Sequence, residues 1–174
     1  MNWELIVSAC INIFGFVVTY FLTTKSLKDE IQKSKVSISL EKMSEIPYKL
    51  TNILNTMSKK QIDIEEYTEL LSLIYSYCSE KAILITTEFQ RLNYEIARKG
   101  DKVSKEERYK PLALLTLLIT QIKYDLTMEI VNPELWFIMK INDYQTSKLD
   151  DVIKEQIIFY AYNLGLNEEF IKDI

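Results

Sequence analysis

A stretch of nineteen uncharged residues near the start of the chain, Leu5–Thr23, limits what the sequence can fold into. As an α-helix it is about 28 Å long, close to the roughly 30 Å hydrocarbon core of a bilayer. The four residues before it contain no Lys or Arg, and no small-residue cleavage site follows it, unlike a secretory signal. The segment therefore predicts a retained transmembrane helix, with a buried core helix as the alternative.

Basic residues flank this segment on its C-terminal side only. Four lysines follow it closely and none precedes it: Lys25, Lys28, Lys33 and Lys35. By the positive-inside rule, we expect the N-terminus outside the cell membrane and the C-terminal domain in the cytoplasm. Trp3 and Tyr20 lie near the two ends of the segment, where amphipathic rings favour the headgroup layer. The sequence thus predicts a single-pass membrane protein, with the lipid bilayer as one partner.

Four small or polar residues recur within the predicted span at steps of four, three and four: Ser8, Asn12, Gly15 and Thr19. This spacing places them along one helix face, which we call the seam. Small residues allow two helices to approach closely, and a buried Asn can hydrogen bond to a partner helix. The seam predicts helix association in the membrane, by self-association or with a protein partner. Chance tolerance of short polar side chains is the alternative.

The rest of the chain predicts an all-α fold. Only three Gly and three Pro occur among 174 residues, and 48% of the residues are hydrophobic, which favours long helices around a core. We expect a transmembrane anchor at 1–24, a basic juxtamembrane segment at 25–39 and a cytoplasmic helical bundle at 40–174. A short polar break is expected at Ser34–Ser39. Because Pro47 lacks a backbone donor, a kink or fresh helix start is expected near Glu45.

One long helix of about 36 residues is predicted over Ile64–Lys99, because neither Gly nor Pro interrupts it and Asp63 can cap its start. Apolar residues recur in it every eleven positions, as at Tyr67, Cys78 and Phe89. That period suits a coiled-coil-like stripe facing either the core or another chain. The twelve-residue run Pro111–Ile122 is too short to span a bilayer and predicts the buried central helix of the bundle.

The residue content argues against most enzyme chemistries. Without histidine the chain has no Ser-His or Cys-His nucleophile and no histidine-bearing metal motif, and its three scattered glycines do not make a phosphate loop. Residues 111–174 hold 10 acidic against 5 basic residues, which disfavours nucleic-acid binding. We expect no cofactor, no metal and no catalytic residue. The acidic groups at Glu65–Glu69 and Asp150–Glu155 fit helix N-termini.

One polar stripe is harder to classify. Gln121, Asp125 and Glu129 follow the most apolar helix at steps of four, and so share a face. A solvated stripe is the default interpretation, and a buried polar network or partner surface is the alternative. Tyr144 and Tyr160, with Trp136, could add an aromatic surface beside this stripe, although core packing suits Trp136 better.

These features predict a non-enzymatic tether, sensor or assembly module at the inner membrane face. An oligomerising membrane effector of a mobile element or phage-defence system is the first alternative, and a small carboxylate-dependent enzyme is the second. Lysine supplies 18 of the 21 basic residues, a bias that favours a bacterial or phage origin.

Overall fold

The computed structural model describes residues 3–57, 63–144 and 148–174, with side chains described from residue 16 onward except at 17, 54–57, 101, 105, 106 and 148. Six α-helices make up most of this part of the chain, and it contains no strand. The all-α prediction is therefore confirmed. The chain divides into two units, Met1–Leu40 and Glu41–Ile174.

The first helix, α1, runs Trp3–Met57 and contains Pro47. The polar break expected at Ser34–Ser39 is wrong, because these residues are helical, and no new helix starts at Pro47. Ser and Thr side chains do not end a helix when their hydroxyls face solvent or bond to a preceding carbonyl, as Thr51 Oγ1 does to Pro47 O at 2.8 Å. Within the described part of the chain, no helix combines the length and apolarity needed to cross a membrane.

The second unit contains the end of α1 and five further helices. Their bounds are α2 Ile64–Tyr77, α3 Glu80–Lys99, α4 Lys105–Thr127, α5 Leu135–Lys140 and α6 Lys148–Asn163. Short 3₁₀ turns follow α3 at Gly100–Lys102 and α6 at Glu168–Phe170. The predicted cap at Asp63 is confirmed, because its side chain accepts from Glu65 N at the start of α2. Ser104 and Glu107 form a reciprocal capping box at the start of α4, and Asn167 accepts from Glu169 N before the last 3₁₀ turn.

The prediction of a single 36-residue helix over Ile64–Lys99 is wrong, because the helix is interrupted at Cys78 and Ser79. Both residues are extended, with ψ values of 167° and 160°. Ser79 then starts α3 as its N-cap, its Oγ accepting from Ala82 N at 3.3 Å. A serine side chain that caps a new helix competes with continuation of the old one, so neither Gly nor Pro is needed at the break.

Helix α4 forms the centre of the bundle and packs against α3 and α6. Six of its apolar side chains are at most 1% exposed: Ala113, Leu114, Leu115, Leu117, Leu118 and Ile122. The end of α1 adds Ile46, Leu50 and Ile53 to the same core cluster. A helix that is apolar on all sides must be buried on all sides, so the prediction of a buried central helix at Pro111–Ile122 is confirmed.

Candidate functional site

The polar stripe at the end of α4 contributes to a network that reaches the α2–α3 junction. Ser79 Oγ donates to Asp125 Oδ2 at 2.6 Å, and Gln121 Nε2 donates to Asp125 Oδ1 at 2.8 Å. Gln121 is 5% exposed, whereas Asp125 is half-buried. Both carboxylate oxygens of Asp125 thus accept a hydrogen bond, which offsets the cost of removing the charge from water.

Ser79 has two roles in this network. Its Oγ accepts a hydrogen bond from Ala82 N as the cap of α3, and its hydroxyl donates a hydrogen bond to Asp125 on α4. The extended residues between α2 and α3 are therefore held to the central helix by a charge-assisted hydrogen bond. The arrangement fixes the direction in which α3 leaves the junction.

Cys78 lies in the same junction, and its thiol is unreactive. Burial, with a smaller contribution from the Asp125 charge, raises the pKa of its thiol to about 12. The thiol is therefore protonated at neutral pH, whereas a nucleophilic cysteine needs a depressed pKa. The α2–α3 junction therefore has a structural role, and the Cys78 thiol in it is not a nucleophile.

Glu129, the third residue of the predicted stripe, does not join the network. Helix α4 ends at Thr127, and Met128 adopts a left-handed conformation with φ 58° that turns the chain away. Glu129 is exposed and its carboxylate lies 3.6 Å from Lys123 Nζ. A surface ion pair of this kind adds little stability.

A second polar cluster, which the sequence analysis did not identify, joins α5 to α6. Lys154 Nζ lies 3.3 Å from Glu134 Oε1 and 3.3 Å from Asp150 Oδ1. The Glu134 side chain is only 7% exposed. Burial raises the pKa of Glu134, with a smaller rise from the Asp150 charge, and Lys154 opposes the change. The Asp150–Lys154 spacing of four was readable in the sequence, but the burial of Glu134 was not.

The predicted aromatic surface is wrong, because Tyr144 and Tyr160 are buried. Tyr144 stacks on Phe137 with ring centroids 5.5 Å apart, and half-buried Trp136 meets Phe137 edge to face at 5.2 Å. Burial raises the pKa of Tyr144, and the charges of Asp150 and Glu134 raise it further. Tyr144 and Tyr160 belong to the core cluster, and Trp136 packs against it.

The seam residues Ser8, Asn12 and Gly15 fall among the residues whose side chains lie outside the described part of the structure, as does Cys10. Thr19 is described and is exposed. Glu65, Glu66 and Glu69 in the first turns of α2 are exposed as well, and Glu69 accepts from Lys49 Nζ at 2.7 Å. Among the described residues no group of three or more His, Cys, Asp or Glu could hold a metal ion.

The chain matches no protein family, no curated protein and no solved structure. Its function must therefore be argued from its own residues.

Replacing Ser79 with Ala should lower the free energy of unfolding by about 1–2 kcal/mol, since the substitution removes a helix cap and the bond to Asp125. In a double-mutant cycle with Asp125→Ala, urea unfolding should give a coupling energy of about 1 kcal/mol. The control is Ser72→Ala, because Ser72 is exposed and its hydroxyl donates to Thr68 O on the same helix. This control should change the free energy of unfolding by under about 0.5 kcal/mol. If the effects of Ser79→Ala and Asp125→Ala on the free energy of unfolding are additive, the Ser79–Asp125 hydrogen bond does not contribute to stability.

Replacing Glu134 with Gln should stabilise the protein relative to the wild type increasingly as the pH rises. The folded-state pKa of Glu134 is raised above its ordinary 4.5, so its stabilising contribution is complete below that value. It is lost as the pH rises through the folded-state pKa, whereas Gln does not titrate. Urea unfolding at several values between pH 4 and pH 8 measures the difference. Glu168→Gln, at an exposed position, is the control, and a difference between Glu134→Gln and wild type that stays constant over this range would contradict the assignment.

Proposed function

We propose that the protein is a membrane-anchored, non-enzymatic interaction module at the inner face of the cell membrane. The observation that carries the proposal is the uncharged Leu5–Thr23 segment followed by lysines. Apolar side chains at the end of this segment are also uncovered in the folded chain: Phe16, Phe21 and Leu22 are 74%, 67% and 64% exposed. Contiguous exposed apolar side chains of this size are typical of a surface that a membrane or a partner covers.

The orientation rests on charge. Lys25, Lys28, Lys33 and Lys35 are all exposed on α1, where they can contact anionic headgroups of the inner leaflet. Positive charge is retained on the cytoplasmic side during insertion, which supports a cytoplasmic location for the helical bundle. Asp29 and Glu30 lie among these lysines and weaken the attraction to lipid.

The non-enzymatic part of the proposal rests on how the polar groups of the bundle are used. Asp125 accepts from Ser79 and Gln121, and Glu134 shares Lys154 with Asp150. Asp125 and Glu134 are thus each engaged by a donor or cation from the protein itself, as in a packing network. A role for the bundle in binding or assembly follows more readily from this pattern than acid–base catalysis.

The seam favours a second candidate, in which the protein is an effector that disturbs the membrane when its spans assemble. Asn12 is the residue that separates the two candidates. A tether needs the span for location alone, whereas an effector needs it for assembly.

Placing a lysine in the middle of the predicted span should release the protein from membranes. We expect Phe14→Lys to move the full-length protein from the pellet to the supernatant after alkaline carbonate extraction. A lysine at a helix centre costs about 3 kcal/mol of insertion free energy. Phe14→Leu is the control and should stay in the pellet. A wild-type protein that partitions into the supernatant would show that the anchor assignment is wrong.

Replacing Asn12 with Leu should weaken span association by about 3- to 30-fold, the range given by interhelical hydrogen bonds in membranes. Crosslinking in native membranes measures this change, with Val17→Leu as the control, because the helical period places position 17 on the face opposite the seam. Growth of the expressing cells is followed in parallel. An effector should lose its effect on growth in the Asn12→Leu variant, whereas a tether should keep its membrane location and its bound partners.

A further inference from the structure

A cavity of about 210 Å³ opens between α4, the turn after it and α5. Its apolar lining comes from six side chains: Ile119, Val131, Pro133, Leu135, Trp136 and Met139. The polar part of the lining includes Thr116, Thr120, Lys123 and Asn132. Ligand sites have this composition, an apolar body with a few placed polar groups, and they usually measure about 300–1,000 Å³ for a drug-sized ligand. The volume here suits a smaller molecule.

Thr120 is the unusual residue of this cavity. It is 5% exposed, yet its hydroxyl makes no hydrogen bond with the described part of the chain. The neighbouring threonines of α4 bond to backbone carbonyls, Thr116 to Ala113 O and Thr127 to Lys123 O, both at 2.9 Å. The Thr120 oxygen is also not one of the unbonded polar atoms that are sealed from solvent. It is therefore reached from the cavity that Thr120 lines, and can bond there to a ligand.

Lys123 gives the cavity a charge preference. It lies one helical turn beyond Thr120 on α4 and lines the same cavity. Within the described part of the chain its ammonium is held only by the exposed pair with Glu129 at 3.6 Å. A competing anion can displace a surface carboxylate at that distance with little loss, because exposed pairs are weak. A hydroxyl and an ammonium that line the same apolar cavity match a carboxylate attached to an apolar chain.

A second cavity, between α2 and α3, does not have this combination. It is lined by Leu71, Ile74, Tyr75, Ile83, Thr86, Thr87 and Gln90. Both of its threonine hydroxyls bond to backbone carbonyls, Thr86 to Ala82 O and Thr87 to Ile83 O. No lysine or arginine lines this second cavity among the described residues.

We propose that the α4–α5 cavity binds a free medium-chain fatty acid, with the chain among the apolar side chains and the carboxylate on Thr120 and Lys123. The cavity is too small for a folded partner segment and accommodates one unbranched chain. This site does not depend on the membrane function proposed above, because all of its residues belong to the helical bundle.

Trp136 lines the cavity and provides the readout. The chain has two tryptophans, so a Trp3→Phe background leaves Trp136 as the single tryptophan, which is excited at wavelengths where tyrosine does not absorb. The full chain in lipid nanodiscs is titrated with octanoate, octanol and acetate, and protein-free nanodiscs correct for partition into lipid. We expect a saturable change in Trp136 emission with octanoate, binding of octanol weaker by about tenfold, and no response to acetate.

Variants test the two polar contacts. Thr120→Val, which keeps the shape and removes the hydroxyl, should weaken octanoate binding by about tenfold, and Lys123→Met by about threefold. Glu129→Gln should strengthen binding by about two- to threefold, because it removes the competitor for Lys123, and a misfolded variant would not produce this gain. Thr68→Val and Lys172→Met, at exposed positions outside the cavity, are the controls and should leave affinity unchanged.

Three results would overturn the proposal. The first is the absence of a saturable response to octanoate, and the second is unchanged affinity in Thr120→Val. The third is a change in Trp136 emission when the ligand-free protein is diluted, which would show that a second copy of the chain fills the cavity.

Discussion

The burial of α4 is the constraint on which the rest of the bundle depends. Its stretch from Pro111 to Ile122 carries no charge, and 10 of these 12 residues are buried. Removing that surface from water contributes about 25 cal/mol per Å², and no single neighbouring helix can cover it. Helices α3 and α6 pack against it, and the end of α1 joins the same core cluster. The bundle is therefore arranged around the buried middle of one helix.

The two polar clusters, around Asp125 and around Glu134, lie near the C-terminal end of α4 and just after it. Gln121 and Asp125 are in its last turns, and Glu134 precedes α5, which follows the turn at Met128. A carboxylate at such a boundary loses part of its hydration and needs donors from the protein. Ser79 and Gln121 supply them for Asp125, and Lys154 for Glu134. Both clusters thus connect successive or packed helices, and their geometry selects one arrangement of the bundle.

Much of the fold follows from local sequence signals, and what does not follow depends on distant partners. The buried run from Pro111 and the helix start capped by Asp63 are both set by neighbouring residues and were predicted correctly. The break at Cys78 was not, because the eleven-residue apolar period continues through it. Ser79 is bonded to Asp125, 46 residues later in the chain, and Glu134 is paired with Lys154 on α6. Contacts of that separation leave no periodic trace in the sequence.

Uncovered apolar surface, more than reactive groups, distinguishes this chain. Phe16, Phe21 and Leu22 on α1 are exposed. Covering each of these side chains with a lipid or a partner would contribute about 1.5–3 kcal/mol of favourable free energy. A bilayer covers such side chains all round, whereas a second helix covers one face and requires small residues there, as the seam offers. The two proposed roles therefore use the same segment and differ in what covers it. A tether requires the bilayer alone, and an effector also requires the hydrogen bond that Asn12 can make to a neighbouring span.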